Sequence, residues 1–157
     1  MKTKHSRHNE NSEVFTAVSL LKSLKKNDKK IILFTSSLEK ESFLTKNFER
    51  LAKSIQAMEK NVIICSCDEN DLNNPNIKAV DAKKSNPFSD IKRENDQIIF
   101  VKGPPLTLSS ESFMICEHCD GVILMEEYRH SSYKNFEKCL FMIESIDVPV
   151  LGIVPCH

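Results

Sequence analysis

Residues 29–58 contain a short apolar run, a polar turn and a long amphipathic pattern, reading KKIILFTSS and then LEKESFLTKNFERLAKSIQAM. The continuous apolar run at 31–34 is typical of a strand that is buried on both faces. Behind the turn, apolar residues recur at spacings of 4, 3, 4 and 3, the period of one helix face, and we expect that face to contain Leu44, Phe48, Leu51, Ile55 and Met58. The stretch therefore predicts a strand, a serine-rich turn and a helix.

The rest of the chain repeats this alternation. Short apolar runs predict strands at about 30–35, 61–66, 97–102, 121–126 and 149–154, and helical patterns separate them near 39–58, 108–119 and 131–146. A first helix is expected from about Ser12 to Lys26, with its inner side formed by Val14, Val18, Leu21 and Leu24 or Leu20. The polar segment from Asp68 to Asp96 is interpreted as a long surface connection. The predicted fold is α/β, a three-layer sandwich with a mainly parallel five-stranded sheet and Rossmann-like topology.

Length, composition and charge limit the number of domains, the partners and the location that the sequence allows. The chain has 157 residues, of which 40% are hydrophobic, and this suits one globular domain over 12–157 behind a flexible basic tail at 1–11. The 22 basic and 22 acidic residues balance, so no global field attracts nucleic acid or a membrane. No apolar run is long enough to span a membrane or to form a signal peptide, so we expect a cytoplasmic protein whose six cysteines are reduced.

The turn after the first strand is the first candidate site. A strand, a polar turn and a helix N-terminus form the frame of a phosphate-binding loop, which also needs glycines for its backbone cradle and a lysine for the phosphates. The three glycines of the chain are Gly103, Gly121 and Gly152, and none lies in residues 35–45. The turn offers carboxylates instead, and one carboxylate at ~4 Å from a phosphate costs on the order of 4 kcal/mol at an effective dielectric constant of ~20. Ordinary nucleotide binding is therefore disfavoured.

Several landmarks in sequence order resemble the bacterial tyrosine kinases of capsule and exopolysaccharide export, which belong to the MinD/ParA-like P-loop ATPases. The landmarks, spread over about residues 12–156, are Glu13-Val14-Phe15, Thr35-Ser36-Ser37, the run from Asp96 through Lys102-Gly103-Pro104-Pro105-Leu106, Asp120-Gly121 with its apolar strand, and Val150–Val154. The resemblance implies a P-loop NTPase-like topology. It also implies an ATP and magnesium site at the turn and at the ends of the following strands.

The sequence departs from the family at those nucleotide positions. Leu38 to Thr45 contains no glycine and no lysine in register with the family's loop, and Ser66 replaces the first carboxylate of an Asp-x-Asp, so that only Asp68 remains. Lys102 stands where the family has an aspartate that holds the metal through water, and Cys156 stands where an asparagine contacts adenine. The remaining pocket would consist of Ser36, Ser37, Glu39, Lys40, Glu41, Ser42, Asp68 and Lys102.

These losses predict a pseudo-kinase with a degenerate Walker A loop, no catalytic residues and no cofactor. Phosphoryl transfer depends on positioning and charge stabilisation, and both are missing together. The resemblance implies a regulatory role through a protein partner, either an active kinase homologue or a membrane polysaccharide co-polymerase, with possible self-association and peripheral membrane location. Two alternatives stay open: weak ATP binding through Lys40, Lys46 or Lys102, as a tyrosine kinase or ATPase, and a metal or redox sensor built on the cysteines.

Three further features have both a functional and an ordinary interpretation. Cys116 and Cys119 have metal-like spacing, yet they fall among apolar neighbours at a predicted helix end, where core packing is the default. The loop after the fourth predicted strand offers a candidate partner surface, formed by Tyr128, Arg129, His130 and Tyr133. The lysine run at 22–30 suits the dipole of a helix C-terminus, and it is otherwise available to an acidic partner or anionic lipid.

Overall fold

The computed structural model describes residues 17–26, 28–58, 61–94 and 96–156. The predicted basic tail and the first turn of the predicted first helix, with Val14, lie outside these residues. Within them, no helix is both long enough and apolar enough to cross a membrane.

Helices and strands alternate along the chain. The helices are α1 at residues 17–26, α2 (Glu41–Met58), a 3₁₀ helix η1 (Glu69–Asn73), α3 (Ser110–Cys116) and α4 (Tyr133–Glu144). The strands are β1 (Ile31–Thr35), β2 (Val62–Ser66), β3 (Ile77–Ala79), β4 (Ile98–Lys102), β5 (Gly121–Glu127) and β6 (Val150–Cys156). The five predicted strands correspond to β1, β2, β4, β5 and β6.

The strands form one sheet of six, in the order β3-β2-β4-β1-β5-β6, and every neighbouring pair is parallel. The predicted five-stranded sheet is therefore wrong by one strand. The sixth strand, β3, lies in the segment that was interpreted as surface connection, and it pairs with β2 through Ile64 and Ile77. Sequence periodicity missed it because it has only three residues on a sheet edge, and two of them are exposed.

The same segment is anchored in the core more firmly than its polar composition indicates. Val80, Ala82 and Phe88 are each buried, with at most 8% of their surface exposed. They pack with the apolar residues beneath α3 and α4. These three side chains fix the segment to the body of the domain.

Two apolar layers enclose the sheet. On one face α1 and α2 cover Phe34 and Phe100, whose ring centroids lie 5.0 Å apart in an edge-to-face arrangement. On the other face α3 and α4 cover Leu33, Val101 and Leu124. This confirms the three-layer α/β architecture, in which central strands are buried on both faces.

The predicted helix faces need two corrections. Leu44, Phe48, Leu51 and Ile55 are buried as expected, but Met58 is 42% exposed because it is the last residue of α2. On α1 the buried residues are Ala17, Leu21 and Leu24, whereas Val18 and Leu20 are only partly buried.

Two contacts set the position of the loops at the ends of the sheet. Asp120 accepts the N–H groups of Lys30 and Ile31 through Oδ2, at 3.0 and 2.9 Å, and so aligns the starts of β1 and β5. At the opposite end, a Cβ on Gly103 would lie 2.2 Å from Ser112 Oγ, so only glycine allows α3 to approach the end of β4 this closely. The path of the chain from β4 into α3 depends on that approach.

Candidate functional site

The loops that leave the carboxyl ends of the strands converge on one edge of the sheet. In open α/β sheets ligands bind at this edge. A cleft of about 340 Å³ lies there, between the start of α2, the β2–η1 connection and the loop from β4 to α3. Its lining consists of Glu41, Leu44, Cys67, Asp68, Glu69, Asn70, Lys102, Gly103, Pro104, Pro105, Ser109 and Glu111.

The β1–α2 loop forms hydrogen bonds within the protein. The backbone N–H of Ser37 donates to Glu126 Oε1 at 2.8 Å, and the Ser37 hydroxyl donates to Glu126 Oε2 at 2.7 Å. Ser36 Oγ accepts the N–H of Leu38 at 3.0 Å, and the N–H of Lys40 donates to the Leu38 carbonyl at 2.8 Å. Ser36 and Ser37 are fully buried. A carboxylate of the protein therefore takes the loop donors of Ser37 that an anion would otherwise need.

Glu126 is the residue that organises this loop. It lies on β5, is 7% exposed, and also accepts the hydroxyl of Ser131 at 2.5 Å through Oε2. One carboxylate thus joins the loop after β1 to the loop after β5. The sequence analysis placed Glu126 at the end of the predicted strand at 121–126 and assigned it no role. Its position at the end of a strongly apolar strand, where a charge is rare unless it is bonded, is the signal that could have identified it.

Lys102 is the second organising residue. Its side chain is only 5% exposed, and its ammonium lies 2.6 Å from Asp71 Oδ2 and 3.9 Å from Asp68 Oδ2. It also donates to Thr45 Oγ1 at 2.7 Å. The sequence suggested that Lys102 points into the pocket, and it does line the cleft, but its charge is already paired with Asp71. Asp71 was missed because it lies in the segment interpreted as surface connection.

Three of the eight residues predicted for the pocket line the cleft, namely Glu41, Asp68 and Lys102. Ser36 and Ser37 are the buried supports described above. The side chain of Lys40 is 60% exposed, and its ammonium lies 3.7 Å from Glu127 Oε2. The two remaining residues lie elsewhere on the loop: Glu39 accepts the Thr107 hydroxyl at 2.8 Å, and Ser42 is exposed on the first turn of α2.

The cleft is acidic. Among the residues that the structure describes, its lining contains four carboxylates, Glu41, Asp68, Glu69 and Glu111, against the single cation Lys102. Asp71 adds a fifth carboxylate beside that cation. A phosphate group entering the cleft would meet more negative charge than positive charge. The cleft is thus electrostatically suited to cationic or neutral groups.

The cysteines have the properties of core residues. Burial raises the pKa of the Cys65, Cys67 and Cys116 thiols to about 12, and it holds the pKa of Cys119 well above 9.0. Because the thiolate is the form that attacks electrophiles and binds metals, such thiols are unreactive near neutral pH. Among residues 17–156 that the structure describes, no group of three or more Cys, His, Asp or Glu side chains could hold a metal ion. Cys116 and Cys119 therefore have no further metal ligands within that part of the chain.

The candidate partner surface is exposed. Tyr128 is 53% exposed and Tyr133 is 75% exposed. The Arg129 guanidinium lies 5.1 Å from the centroid of the Tyr128 ring, within cation–π range, and Arg129 adopts a φ of 67°. The structure thus presents two tyrosines and a cation next to the loop that Glu126 fixes.

The six-stranded parallel sheet, the two helical layers and the loops at the carboxyl edge define the class: this is the three-layer α/β fold of P-loop kinase domains. The chain is similar to the crystal structure of the VpsO kinase domain, with a TM-score of 0.67, 18% identity and coverage of 99% of both chains. It is also similar to the BceF tyrosine kinase domain, with a TM-score of 0.64, 13% identity and coverage of 93% of this chain and 76% of that one.

No protein-family model matches the chain, and no curated protein matches it in sequence. At 18% and 13% identity the two structural likenesses show the fold. They confirm the bacterial tyrosine kinase fold that the sequence landmarks implied.

Proposed function

We propose that this protein is a non-catalytic, pseudo-kinase-like regulatory protein that keeps the scaffold of an exopolysaccharide tyrosine kinase and acts through a protein partner. One observation carries the proposal: the cleft at the carboxyl edge is acidic, and Lys102, the cation among its described lining residues, is paired with a buried carboxylate, Asp71. A kinase needs the opposite arrangement, with cations and free backbone donors facing the phosphates.

Two features support this reading of the cleft. In the β1–α2 loop, Glu126 already accepts both donors of Ser37. In the cleft, each contact of a phosphate with a carboxylate at ~4 Å costs on the order of 4 kcal/mol at an effective dielectric constant of ~20. Binding of a nucleoside triphosphate would have to overcome several such contacts without a glycine-rich cradle to offset them.

The test is calorimetric titration with ATP and with ADP, each with and without magnesium. We expect no heat of binding at millimolar nucleotide. An intact tyrosine kinase domain titrated in the same buffer is the positive control. Micromolar, magnesium-dependent binding would contradict the proposal and favour the alternative, an ATP-binding kinase with a rewired site.

The proposed partner is either an active kinase homologue or the cytoplasmic part of a membrane polysaccharide co-polymerase. The surface proposed to contact it consists of Tyr128, Arg129, His130 and Tyr133, because exposed aromatic and arginine side chains are enriched at protein interfaces. Binding to a co-polymerase would place the protein at the inner face of the membrane.

A pull-down with purified candidate partners tests this surface. The double variant Tyr128→Ala/Tyr133→Ala should reduce binding at least tenfold, the scale of interface anchors. Phe141→Ala is the matched control. Phe141 is an aromatic residue that lies on α4, as Tyr133 does, and its side chain is 74% exposed. Equal binding by both variants would exclude the proposed surface.

A further inference from the structure

A group of lysines lies where α1 ends and β1 begins. Residues 22–30 contain one carboxylate, Asp28, and five lysines, which we call the lysine patch: Lys22, Lys25, Lys26, Lys29 and Lys30. All strands of the sheet are parallel, and α1 ends just before β1 starts, so the patch lies at the amino edge of the sheet. The cleft and the candidate partner surface lie at the opposite edge, and the proposed function does not use the patch.

The fold directs the lysine patch towards solvent and fixes the backbone that carries it. Leu21 and Leu24 form the buried side of α1, and the three lysines of that helix are exposed. The N–H of Lys29 donates to the Leu24 carbonyl at 3.1 Å, and the N–H of Lys30 donates to Asp120 Oδ2 at 3.0 Å. These two bonds hold the connection against the end of the helix, so its two lysines stay next to those of α1.

Nearby carboxylates lower the charge of the patch without cancelling it. The Lys30 ammonium lies 3.7 Å from Asp28 Oδ1, and the Asp28 side chain is 89% exposed. A cavity of about 360 Å³ opens beside the patch, and its described lining includes three of the lysines together with Asp28 and Asp96. This cavity therefore has little excess charge for one bound anion. The excess belongs to the whole patch, where five lysines lie against Asp28, Asp96 and Asp120.

The composition of the patch suits a lipid surface better than a protein or a nucleic acid. Protein interfaces are enriched in arginine and aromatic residues and depleted of lysine, and single-stranded nucleic acids stack on aromatic side chains. The exposed aromatic side chains among the described residues, Tyr128, Tyr133 and Phe141, all lie outside the patch. Met58 ends α2 at the same amino edge, is 42% exposed, and can enter a layer of lipid headgroups.

We propose that the lysine patch binds the surface of a membrane that contains anionic phospholipids. A polybasic surface is attracted to such a membrane by its summed charge and needs no preformed pocket, which matches the balanced cavity beside the patch. Contact through the amino edge leaves the cleft and the candidate partner surface on the side away from the lipid. The proposal depends on the amino edge alone, so it holds or fails separately from the proposed function.

Co-sedimentation of the 157-residue chain with lipid vesicles tests the proposal. Vesicles with about one third phosphatidylglycerol in phosphatidylcholine are compared with vesicles of phosphatidylcholine alone. We expect binding to the anionic vesicles only, and release when sodium chloride rises from about 0.1 M to about 1 M, which shortens the Debye length from ~10 Å to ~3 Å. The triple variant Lys22→Gln/Lys26→Gln/Lys29→Gln should bind the anionic vesicles roughly 10- to 100-fold more weakly, because each lysine near such a surface contributes several-fold.

The matched control is Lys83→Gln/Lys134→Gln/Lys138→Gln, which removes the same charge from exposed lysines on α4 and after β3. It should bind the anionic vesicles as the wild type does. Equal weakening of the two triple variants, equal binding to both kinds of vesicle, or no binding to either would overturn the proposal. Retention on a polyglutamate column without vesicle binding would also overturn it, because the patch would then bind an acidic protein.

Circular dichroism establishes that each variant is folded before its binding is compared. Should the triple variant of the patch not fold, the double variant Lys22→Gln/Lys26→Gln takes its place, since both of these side chains are exposed on α1. It should bind the anionic vesicles more weakly than the wild type by roughly threefold or more. Binding equal to that of the wild type would overturn the proposal.

Discussion

Replacement of Glu126 should destabilise the protein strongly, because one buried carboxylate holds two loops at the carboxyl edge of the sheet. Its carboxylate accepts the N–H and hydroxyl of Ser37 and the hydroxyl of Ser131, and the residue is 7% exposed. Glu126→Ala leaves these donors without an acceptor. A buried donor that loses its partner costs about 1–3 kcal/mol, and water entering the space lowers the sum.

We expect the free energy of unfolding of Glu126→Ala to fall by about 3–4 kcal/mol. For a domain of this size, 1 kcal/mol corresponds to ~2–4 °C, so the melting temperature should fall by roughly 6–16 °C. Urea unfolding followed by circular dichroism measures the free energy directly. Glu126→Gln keeps the shape and one carbonyl acceptor, so it should lose about half as much.

Glu127→Gln is the matched control for this prediction. Glu127 is the next residue of β5, and the ammonium of Lys40, whose side chain is 60% exposed, lies 3.7 Å from its Oε2. The Glu127 side chain is 25% exposed and its Oε2 accepts no hydrogen bond from the described residues, so loss of this long, partly exposed ion pair should cost about 1 kcal/mol or less. Equal losses in Glu126→Ala and Glu127→Gln would refute the reasoning that one buried carboxylate joins the two loops.

The remaining predictions concern the thiols and a glycine. Burial raises the pKa of Cys65 and Cys116 from 9.0 to about 12, so above pH 9 the unfolded chain releases protons that the folded chain keeps. The free energy of unfolding should therefore fall as pH rises from 9 towards 12, by up to ~1.4 kcal/mol per pH unit for each such thiol. Urea midpoints that stay constant across that range would contradict this prediction. Gly103→Ala would place a Cβ 2.2 Å from Ser112 Oγ, so the free energy of unfolding should fall by about 1–3 kcal/mol. In Gly152→Ala the nearest atom to the new Cβ is 3.8 Å away, so urea unfolding should show little change from this contact.

Most of the fold could be predicted from the sequence because its signals are strong and local. The apolar runs of β1, β2, β4 and β5 are continuous, since parallel strands covered on both faces bury nearly every side chain. The edge strand β6 is less buried, but it also carries an apolar run over five residues, Val150–Val154. The edge strand β3 has no such run, because it has only three residues, of which Ile77 is partly buried and the other two are exposed. Weak periodicity at a sheet edge is the physical reason for that error.

The candidate site was less predictable because it depends on pairs of residues that are distant in sequence. The sequence indicated an acidic, glycine-free loop and a lysine at the end of β4. It gave no indication that Asp71 pairs with Lys102, or that Glu126 bonds to Ser37 across 89 positions. Such contacts follow from the order of strands in the sheet, which places the ends of β1, β2, β4 and β5 side by side.

A phosphoryl-transfer assay with magnesium and millimolar ATP is the most direct test of whether this protein is catalytically inactive. Release of inorganic phosphate and phosphate on tyrosine are both recorded, for the protein alone and with a purified candidate partner. We expect no phosphate release and no phosphotyrosine above the buffer blank for the protein alone. In the mixture, we expect no more of either product than the partner forms by itself. Turnover by the protein alone that is lost in Asp68→Asn would contradict it, because the acidic cleft would then be a working nucleotide site.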